Sequence, residues 1–274
     1  MVLDGLRAGV ALGRGAAARA AGLPRAAASA VLGGAPDRTR ALDRYEGVAA
    51  GYDALTAGGG WYRKRSVDAL ELRRGETVIE VGCGTGLNLP GLSAGVGPQG
   101  RVVGIDQSRD MLARAAVRMR TAESVTLVQA PAEEADVPLL ADAALLCGTH
   151  DILRSERALR NVLRHVRPGG RVVAGGAKWA PWWRPGSVAL NTWTWQINRP
   201  YVTTFEGFDR PWSLLERLVP GLQIQEILFG GGYIAVGRTP VERSAAATPT
   251  RPGSSPRSTS RRSPGHFASS ASVR

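Results

Sequence analysis

The sequence is poor in cysteine and histidine and has no long apolar run. Two cysteines, Cys83 and Cys147, among 274 residues are too few for a disulfide framework or a Cys-rich zinc site. We therefore expect no bound metal and predict a reducing, cytoplasmic compartment. No apolar run approaches the roughly 18 residues of a membrane-spanning helix. A secretory signal is not predicted either, because the N-terminus has no basic stretch followed by a continuous apolar segment.

The net charge of +12 is concentrated in the two ends of the chain. Residues 1–36 contribute +3 and residues 241–274 contribute +5, so the region between them is nearly balanced. Only two of the 35 basic residues are lysines, which we interpret as a coding-composition bias. No nucleic-acid partner is predicted, although nucleic-acid binding through the basic ends stays open as an alternative of a different class.

Three regions differ in composition. Residues 1–36 are rich in Ala, Gly and Arg and form either a short amphipathic helix or a poorly ordered leader. Residues 241–274 are rich in Ser, Pro and Arg and have too few large apolar groups to offset the entropy of ordering, which predicts disorder. A phosphorylated or anion-binding tail is the alternative there. Residues 37–240 are predicted to form the main domain.

Within this domain, strand patterns alternate with helix patterns. Strands are predicted at 76–82, 101–106, 124–130, 143–148, 171–177, 222–229 and 232–239. Helices are predicted at 108–120, with Ser108 as the N-cap, and at 156–166, followed by a turn at 167–170.

This alternation predicts an α/β protein with a doubly wound, mostly parallel, seven-stranded sheet, a Rossmann-like arrangement. The last two predicted strands are joined only by Gly230 and Gly231. Because so short a connection forces an antiparallel hairpin, we expect a reversed strand at one edge of the sheet.

The first predicted strand runs into a glycine-rich turn in "VIEVGCGTGLNLP", residues 78–90. Gly82 and Gly84 fit a dinucleotide fingerprint, but Leu87 stands where its third glycine belongs. Glu80, two places before the turn, would repel a pyrophosphate at the start of the following helix. The same carboxylate suits a ligand with an ammonium group and no phosphate. S-adenosylmethionine is such a ligand, and the sequence favours it over NAD.

The second predicted strand ends in Asp106, 24 positions after Gly82. In doubly wound nucleoside sites an acid at about this place accepts hydrogen bonds from the ribose hydroxyls. The alternative is that Asp106 caps a helix or holds a turn. We favour the ribose role because Asp106 occurs together with the glycine turn and its acid.

Three segments in succession carry a family resemblance. "VIEVGCGTGLNLP", "RVVGIDQSRDML" and "HVRPGGRVV" resemble the ordered motifs of class I S-adenosylmethionine-dependent methyltransferases, over roughly residues 40–240. The most similar branch is the small-molecule one that includes ubiquinone-biosynthesis and phospholipid methyltransferases. The resemblance implies S-adenosylmethionine as the cofactor and a small-molecule methyl acceptor as the partner.

The resemblance also implies a role for each residue of the turn. Glu80 would organise the ammonium group of the cofactor, and Asp106 would bind its ribose. The turn would follow the methionine part of the cofactor and is formed by Gly82, Cys83, Gly84 and Gly86.

On the adenine side, the resemblance implies that Gln107 lies against the ring. The family often has an acid after the third strand, but Pro131 stands at that place here. The backbone of Ala132, or Glu133, would then contact the adenine. Tyr52 resembles a tyrosine that closes over the cofactor; a half-buried core aromatic is the equally weighted alternative.

His150 and Asp151, just after the fourth predicted strand, are the candidate catalytic pair. His150 could act as a base for a hydroxyl or ring-carbon acceptor. Alternatively, His150 packs against the cofactor and Asp151 caps the next helix. The signatures of DNA amino-methylases and arginine methyltransferases are absent from the sequence. His165 is predicted to be solvent-exposed.

Six of the seven tryptophans fall between residues 179 and 212. They lie in a predicted substrate-covering insertion, residues 178–215, in which Trp179, Trp183 and Trp195 are the candidate acceptor contacts. If the segment is extended, Trp193 and Trp195 point to the same side. Three interpretations stay open: an apolar acceptor pocket, packing of the insertion itself, and a face that rests on a membrane. The third would suit a phospholipid or quinone methyltransferase that works at a membrane surface.

Overall fold

The computed structural model describes residues 36–45 and 49–241. Apart from Pro36 and Val241, the predicted leader and the predicted tail lie outside the described residues, and both stay predictions.

Helices flank a single sheet in the described part of the chain. The helices are α1 (Arg38–Tyr45), α2 (Ala49–Thr56), α3 (Gly60–Asp68), α4 (Leu89–Val96), α5 (Arg109–Arg118), α6 (His150–Leu153), α7 (Glu156–Arg164), α8 (Ser187–Asn198) and α9 (Ser213–Leu218). The strands are β1 (Thr77–Val81), β2 (Arg101–Asp106), β3 (Val125–Gln129), β4 (Ala141–Cys147), β5 (Val166–Ala177), β6 (Gln223–Ile227) and β7 (Gly232–Arg238). Within the described ranges, none of the helices has the length and apolar character needed to cross a bilayer.

The strands form one sheet in the order β3-β2-β1-β4-β5-β7-β6. All pairs are parallel except those of β7, which runs antiparallel to both β5 and β6. The predicted seven-stranded, mostly parallel sheet with a C-terminal hairpin is confirmed. The reversed strand is not at the edge, however, because β7 pairs on both sides and leaves β6 outermost. The strand order reverses between β1 and β4, which creates a crevice at the carboxyl ends of these two strands.

The side chains of β1 alternate between two apolar layers. Ile79 and Val81 pack into the layer that includes α7 and α9, whereas Val78 packs into the opposite layer, with α4. Because side chains alternate along a strand, Glu80 shares the face of Val78. The alternation therefore places the Glu80 carboxylate in the layer formed by α3 and α4.

The predicted helix after β2 is confirmed together with its cap. The Ser108 hydroxyl accepts a hydrogen bond from the Met111 N–H at 3.4 Å, and Met111, Leu112 and Ala115 are buried as the apolar pattern indicated. The cap fixes the start of α5 directly after the carboxyl end of β2.

The predicted turn at residues 167–170 is instead part of strand β5. Val166 pairs with Ala141 of β4, and the next pair joins Arg171 to Ala143. Four residues of β5 therefore stand opposite one residue of β4, and Gly169 has φ +73°. Such an irregularity is a bulge that carries the proline and glycines without ending the strand.

A further local prediction was wrong. Leu228 and Phe229 were assigned to a strand but lie in a 3₁₀ turn between β6 and β7, each with φ +51°.

Trp193 and Trp195 would share one side only in an extended segment, and this condition is not met, because both lie in helix α8. Since consecutive helical residues are rotated by about 100°, these two side chains point to different faces.

Substitution of Gly86 by Ala tests how tightly the glycine turn is packed. Its φ is +78°, and an added Cβ would lie 2.9 Å from Leu89 Cδ1 and 3.2 Å from Ala115 Cα. Gly75 is a matched control, since its φ is +85° and nothing lies within 4 Å of an added Cβ. We expect Gly75→Ala to lower the free energy of unfolding by about 1 kcal/mol from backbone strain alone. Gly86→Ala should lower it by about 2–4 kcal/mol, because overpacking is added. Urea unfolding measures both, and equal losses would show that the turn is not closely packed.

Candidate functional site

The glycine turn lies over the carboxyl end of β1. Gly82, Gly84 and Gly86 all have positive φ, at +68°, +55° and +78°. A Cβ added at Gly82 would lie 2.6 Å from Thr149 Cγ2, so the segments after β1 and β4 touch there. A Cβ added at Gly84 would meet nothing within 4 Å. The turn is thus closed on one side and borders open space at Gly84.

Cys83 contributes only its backbone to this turn. Its side chain is buried in the apolar layer, and its Sγ would lie 3.1 Å from a Cβ added at Gly104. Burial raises the pKa of the Cys83 thiol well above its usual range. The side chain is therefore a core group and does not face a ligand.

Asp106 holds the turn in place through both carboxylate oxygens. Oδ2 accepts a hydrogen bond from the Gly84 N–H at 2.8 Å, and Oδ1 accepts one from the Ser108 N–H at 2.8 Å. Burial raises the pKa of Asp106, and these backbone donors partly offset the shift. Each oxygen keeps a second lone pair for another donor. The turn-holding alternative is thus observed, and it is compatible with the predicted ribose contact.

Glu80 lies beneath the turn and is 1% exposed. Its Oε1 accepts a hydrogen bond from Asn88 Nδ2 at 2.6 Å, while Oε2 has no partner. Burial raises the pKa of Glu80 to about 8, against the lowering effect of the Asn88 hydrogen bond. A buried carboxylate oxygen without a partner costs free energy that a cationic donor would recover.

Sequence reasoning missed two residues that act on Glu80, one through a hydrogen bond and one through its charge. Asn88 precedes α4 by one residue and holds one carboxylate oxygen. Arg63, in α3, lowers the pKa of Glu80 by its charge and donates a hydrogen bond to the Thr56 carbonyl at 3.0 Å. No sequence signal connected Arg63 to the turn, since it lies in a short basic stretch that also suits a solvated helix.

A further contact pins α2 onto the turn. Asp53 accepts a hydrogen bond from the Thr85 hydroxyl at 2.6 Å and forms an ion pair with Arg118 of α5. In the sequence, the signal for this contact was the position of Asp53 directly after the predicted site residue Tyr52.

Tyr52 belongs to a cluster of three tyrosines. Its ring centroid lies 6.4 Å from that of Tyr45 and 5.3 Å from that of Tyr201. Burial raises the pKa of Tyr52 to about 12, with smaller contributions that include Tyr201 and Asp106. Tyr52 is thus a packed aromatic near the Asp106 carboxylate. Its closing role over a cofactor stays a prediction.

The predicted adenine contacts lie at the ends of β2 and β3. Gln107 is half-buried directly after Asp106. Ala132 is buried, and its carbonyl accepts a hydrogen bond from Asn161 at 2.9 Å. The Glu133 carboxylate accepts one from the Ser155 hydroxyl at 2.8 Å. The Ala132 carbonyl and the Glu133 carboxylate each keep further acceptor capacity, and their contact with the adenine stays a prediction.

His150 is buried after β4, beside an aromatic cluster. Its Nε2 lies 3.2 Å from the Glu206 carbonyl oxygen, and its ring centroid is 4.7 Å from that of Phe208. The carbonyl requires a proton on Nε2, which leaves the lone pair on Nδ1, a buried atom without a partner. Burial, with a smaller effect of Arg154, lowers the pKa of His150 to about 4. The imidazole is therefore neutral at physiological pH.

Asp151 does not cap a helix. Its Oδ2 accepts hydrogen bonds from the Thr203 N–H at 2.9 Å and the Thr203 hydroxyl at 2.7 Å, and its Oδ1 has no partner. Burial raises the pKa of Asp151, against these hydrogen bonds. Helix α7 is capped instead by Ser155, which accepts a hydrogen bond from the Ala158 N–H. Asp151 thus anchors the segment that follows α8.

His165 is buried, contrary to the prediction of an exposed side chain. It follows α7 and accepts a hydrogen bond from Arg164 Nε at 3.1 Å. The helix ends at Arg164, two residues earlier than predicted. His165 therefore lies beyond the helix, and the apolar stripe of the helix does not determine where its side chain points.

The three candidate tryptophan contacts are not all together. Trp179 stacks on Phe205 at 5.3 Å and lies 4.9 Å from Phe208. Trp195 packs against the same cluster, on the inward side of α8. Trp183 is 67% exposed and does not join them. Trp179 and Trp195 thus border one apolar cluster, which reaches His150 through Phe208.

Buried polar atoms without partners concentrate at this end of the sheet. Among the described residues there are five such side-chain atoms: Glu80 Oε2, Thr149 Oγ1, His150 Nδ1, Asp151 Oδ1 and Arg171 Nε. All but the last belong to β1 or to the segment just after β4. Because native structures rarely leave such atoms unpaired, this crevice is the place where a polar ligand belongs.

Residues 78–170 match the family model described as a methyltransferase domain. The chain carries a class I S-adenosylmethionine-dependent methyltransferase domain. The matched range includes the glycine turn, Asp106, and the His150–Asp151 pair.

Sequence comparisons agree with this assignment over part of the chain. A ubiquinone/menaquinone biosynthesis C-methyltransferase of an Enterobacter species is 32% identical, covering 41% of this chain and 47% of the relative. An uncharacterized 37.1 kDa protein in transposon TN4556 of Streptomyces fradiae is 29% identical, covering 66% of this chain and 50% of the relative. The chain thus spans about half the length of the curated relatives it matches.

A structural comparison shows the same fold. The N-methyltransferase NodS from Bradyrhizobium japonicum, in complex with S-adenosyl-L-homocysteine, has a TM-score of 0.52 and 15% identity. The match covers 73% of this chain and 99% of NodS.

S-adenosylmethionine is the cofactor of the methyltransferase domain, and the residues of the crevice fit it. The free oxygen of Glu80 suits its ammonium group, and the open space at Gly84 leaves room along the turn. Asp106 retains lone pairs for the ribose hydroxyls. Within the residues that the structure describes, no three His, Cys, Asp or Glu side chains are grouped as metal ligands.

The raised pKa of Glu80 predicts a pH-dependent stability of the cofactor-free protein. Below the ordinary pKa of 4.5, both the folded and the unfolded state are protonated. Between 4.5 and about 8 the unfolded state loses the proton and the folded state keeps it, so stability falls as pH rises. Glu80→Gln removes this titration. We expect the variant to gain stability relative to wild type, on the order of a few kcal/mol, between pH 5 and 8.

Urea unfolding at several pH values measures this difference. Glu123→Gln, at an exposed position, is the matched control and should follow the wild-type profile. Parallel profiles for wild type and Glu80→Gln would show that Glu80 is already ionised in the folded state at pH 5.

Proposed function

We propose that this chain transfers the methyl group of S-adenosylmethionine to a small, hydrophobic acceptor. The observation that carries the proposal is the group of unpaired buried polar atoms at the β1–β4 crevice, next to an aromatic cluster. The unpaired polar atoms suit a charged cofactor, and the aromatic cluster suits an apolar acceptor. We further propose that the chain works in the cytoplasm, as the low cysteine content suggests.

In this proposal the glycine turn would hold the methionine part of the cofactor. Glu80 would receive the ammonium group, and Asp106 would receive the ribose. Gln107 and the loop that contains Ala132 and Glu133 would hold the adenine. Tyr52 covers the crevice from α2, supported by the other two tyrosines of its cluster.

When bound, the cofactor supplies a methyl group activated by a sulfonium. The protein then has to align the acceptor and exclude water. An acceptor oxygen or ring carbon that forms the new bond to the methyl group must also lose a proton. His150 Nδ1 accepts that proton, because the Nε2–H is held by the Glu206 carbonyl and Nδ1 carries the lone pair that has no partner.

Asp151 acts in this proposal as a positioning residue. It holds Thr203, whose hydroxyl also accepts a hydrogen bond from the Asp37 N–H at 3.1 Å. Arg44 donates a hydrogen bond to the Arg199 carbonyl at 3.1 Å, and it also donates one to the Val202 carbonyl. Helix α1, the residue before it and the segment after α8 are thereby joined.

The acceptor class follows from the apolar cluster. Trp179, Trp195 and Phe208 would contact a planar, hydrophobic molecule, whereas Trp183 would not. The quinone-biosynthesis activity named for one relative makes a quinol-like acceptor the first to test. A phospholipid or quinone acceptor at a membrane surface is the second candidate. Nucleic-acid binding through the basic ends is the alternative of another class.

The test is methyl transfer from labelled S-adenosylmethionine to a panel of hydrophobic acceptors, demethylmenaquinol and simple phenols in detergent micelles. We expect label in the organic phase for wild type, at a rate that does not depend on His150 protonation between pH 6 and 8. His150→Gln should reduce kcat by about 10²–10⁴-fold, because proton transfer is lost. Its affinity for S-adenosylhomocysteine should stay unchanged.

His165→Gln is the matched control, because it replaces the other buried histidine, which lies outside the crevice. It should keep the wild-type rate. Full activity of His150→Gln would rule out His150 as the base. Absence of transfer to any of the acceptors by protein that binds the cofactor would contradict the acceptor class.

A further inference from the structure

Exposed apolar side chains gather around helix α8. We call this surface the Trp face and define it by Trp182, Trp183, Val188, Trp193, Ile197, Leu228 and Phe229. Trp182 and Trp183 are each about two thirds exposed, and Phe229 is 86% exposed. Scattered exposed apolar residues are ordinary on a protein surface, but so many large ones together mark an interaction site.

The members of the Trp face lie on two segments that pack against each other. A Cβ added at Gly230 would lie 2.8 Å from Pro181 Cδ, and one added at Gly231 would lie 2.9 Å from Leu190 Cδ2. Arg184 also reaches Glu226 at 3.3 Å. The turn that carries Leu228 and Phe229 is therefore adjacent to the start of α8.

Helix α8 contributes an uncharged outer surface. Its sequence, SVALNTWTWQIN, contains no acidic or basic residue. Val188, Trp193 and Ile197 are all exposed. Trp193 and Ile197 lie about 40° apart around the helix, and Val188 lies about 140° from Trp193, given about 100° per residue. A surface helix in water normally presents charged residues outward, so this face is built for a different environment.

The turn before β7 presents Phe229 at a conformational cost. Leu228 and Phe229 are consecutive non-glycine residues with φ +51°. This left-handed region is unfavourable for side chains other than glycine, so the surroundings must impose the conformation. The strained backbone holds a phenylalanine almost fully in solvent, where it gains nothing for folding.

Charges around the Trp face are mainly positive. Arg184 lies beside the tryptophan pair, and Arg199 lies at the end of α8 with its guanidinium 4.8 Å from the Trp195 ring centre. The nearby acid, Glu226, is already paired with Lys178 at 2.9 Å and with Arg184. Tryptophan bordered by arginine is the composition that lies at the interface of an anionic bilayer.

We propose that the Trp face docks onto the surface of an anionic phospholipid bilayer. The aromatic side chains enter the headgroup region, and the arginines face the lipid phosphates. The docking does not depend on the proposed function. Its use for catalysis does, because α8 also carries Trp195 inward to the aromatic cluster near His150. A lipid-dissolved acceptor would thereby reach the crevice without crossing water.

The test is sedimentation of the full chain, without cofactor, with vesicles of phosphatidylcholine and about 30% phosphatidylserine at about 0.15 M salt. We expect binding accompanied by a blue shift of tryptophan emission. The variant Trp182→Ser/Trp183→Ser/Phe229→Ser should bind at least about tenfold more weakly, because the inserted apolar area is lost. The control Leu55→Ser/Val117→Ser/Leu140→Ser removes three exposed apolar side chains elsewhere and should bind as wild type.

Three outcomes would overturn the proposal. Wild type could fail to sediment with vesicles. The Trp-face variant could bind as well as wild type, with binding lost only at high salt, which would assign it to the basic ends. A concentration-dependent dimer that the variant abolishes, without vesicle binding, would assign the face to a second copy of this chain. Urea unfolding of the variant shows whether it has misfolded. Binding of S-adenosylhomocysteine shows whether the proposed function has failed independently of the docking.

Discussion

The buried carboxylate of Glu80 is the constraint on which the site depends. It lies on a central strand, on the face covered by α3 and α4, with one oxygen bound to Asn88 and the other without a partner. In the cofactor-free protein, burial raises the pKa of Glu80 to about 8, so the side chain remains largely protonated at neutral pH. A cationic ligand reverses that preference by replacing the lost hydration. The buried oxygen of Glu80 that lacks a partner is thus suited to receive an ammonium group.

The other features of the crevice are arranged around this carboxylate. Asp106 fixes the turn through Gly84, and Asp53 ties α2 to the same turn through Thr85. Asp151 anchors the segment after α8, whose aromatic neighbours border the acceptor side. Three carboxylates thus hold segments of the site in place. Glu80 and Asp151 each keep one carboxylate oxygen without a partner, and Asp106 keeps lone pairs, so the acids that hold the site together also offer acceptors to a ligand.

Much of the fold could be predicted because periodicity and short connections determine it. The β-branched runs, the Ser108 cap and the short link at Gly230 led to the sheet, its parallel core and its final hairpin. The position of β7 inside the sheet could not be predicted, because pairing order depends on long-range packing that no local pattern encodes. The segment 167–170 was misassigned because proline and glycine mark bulges as well as turns.

The positions of the predicted cofactor residues follow from topology more directly than those of the predicted acceptor residues. Glu80 and Asp106 lie at the carboxyl ends of β1 and β2, where topology limits their positions, and both are beside the glycine turn, although their cofactor contacts stay predictions. Asn88 and Arg63 were missed because they approach from helices whose packing is set by tertiary contacts. The alternation of Trp193 and Trp195 suggested an extended segment, but α8 is a helix that divides these residues between two surfaces. Trp183 was grouped with the pocket on composition alone, which carries no information about burial.

The most direct measurement of the central claim is calorimetric titration of the full chain with S-adenosylmethionine and, separately, with NADH. Wild type should bind S-adenosylmethionine and not NADH. Glu80→Gln should weaken that binding by at least about tenfold, because a charged hydrogen bond to the ammonium group is lost. The exposed Asp110→Asn is the control and should bind as wild type. Preference for NADH, or unchanged affinity of Glu80→Gln, would contradict the account of the Glu80 crevice.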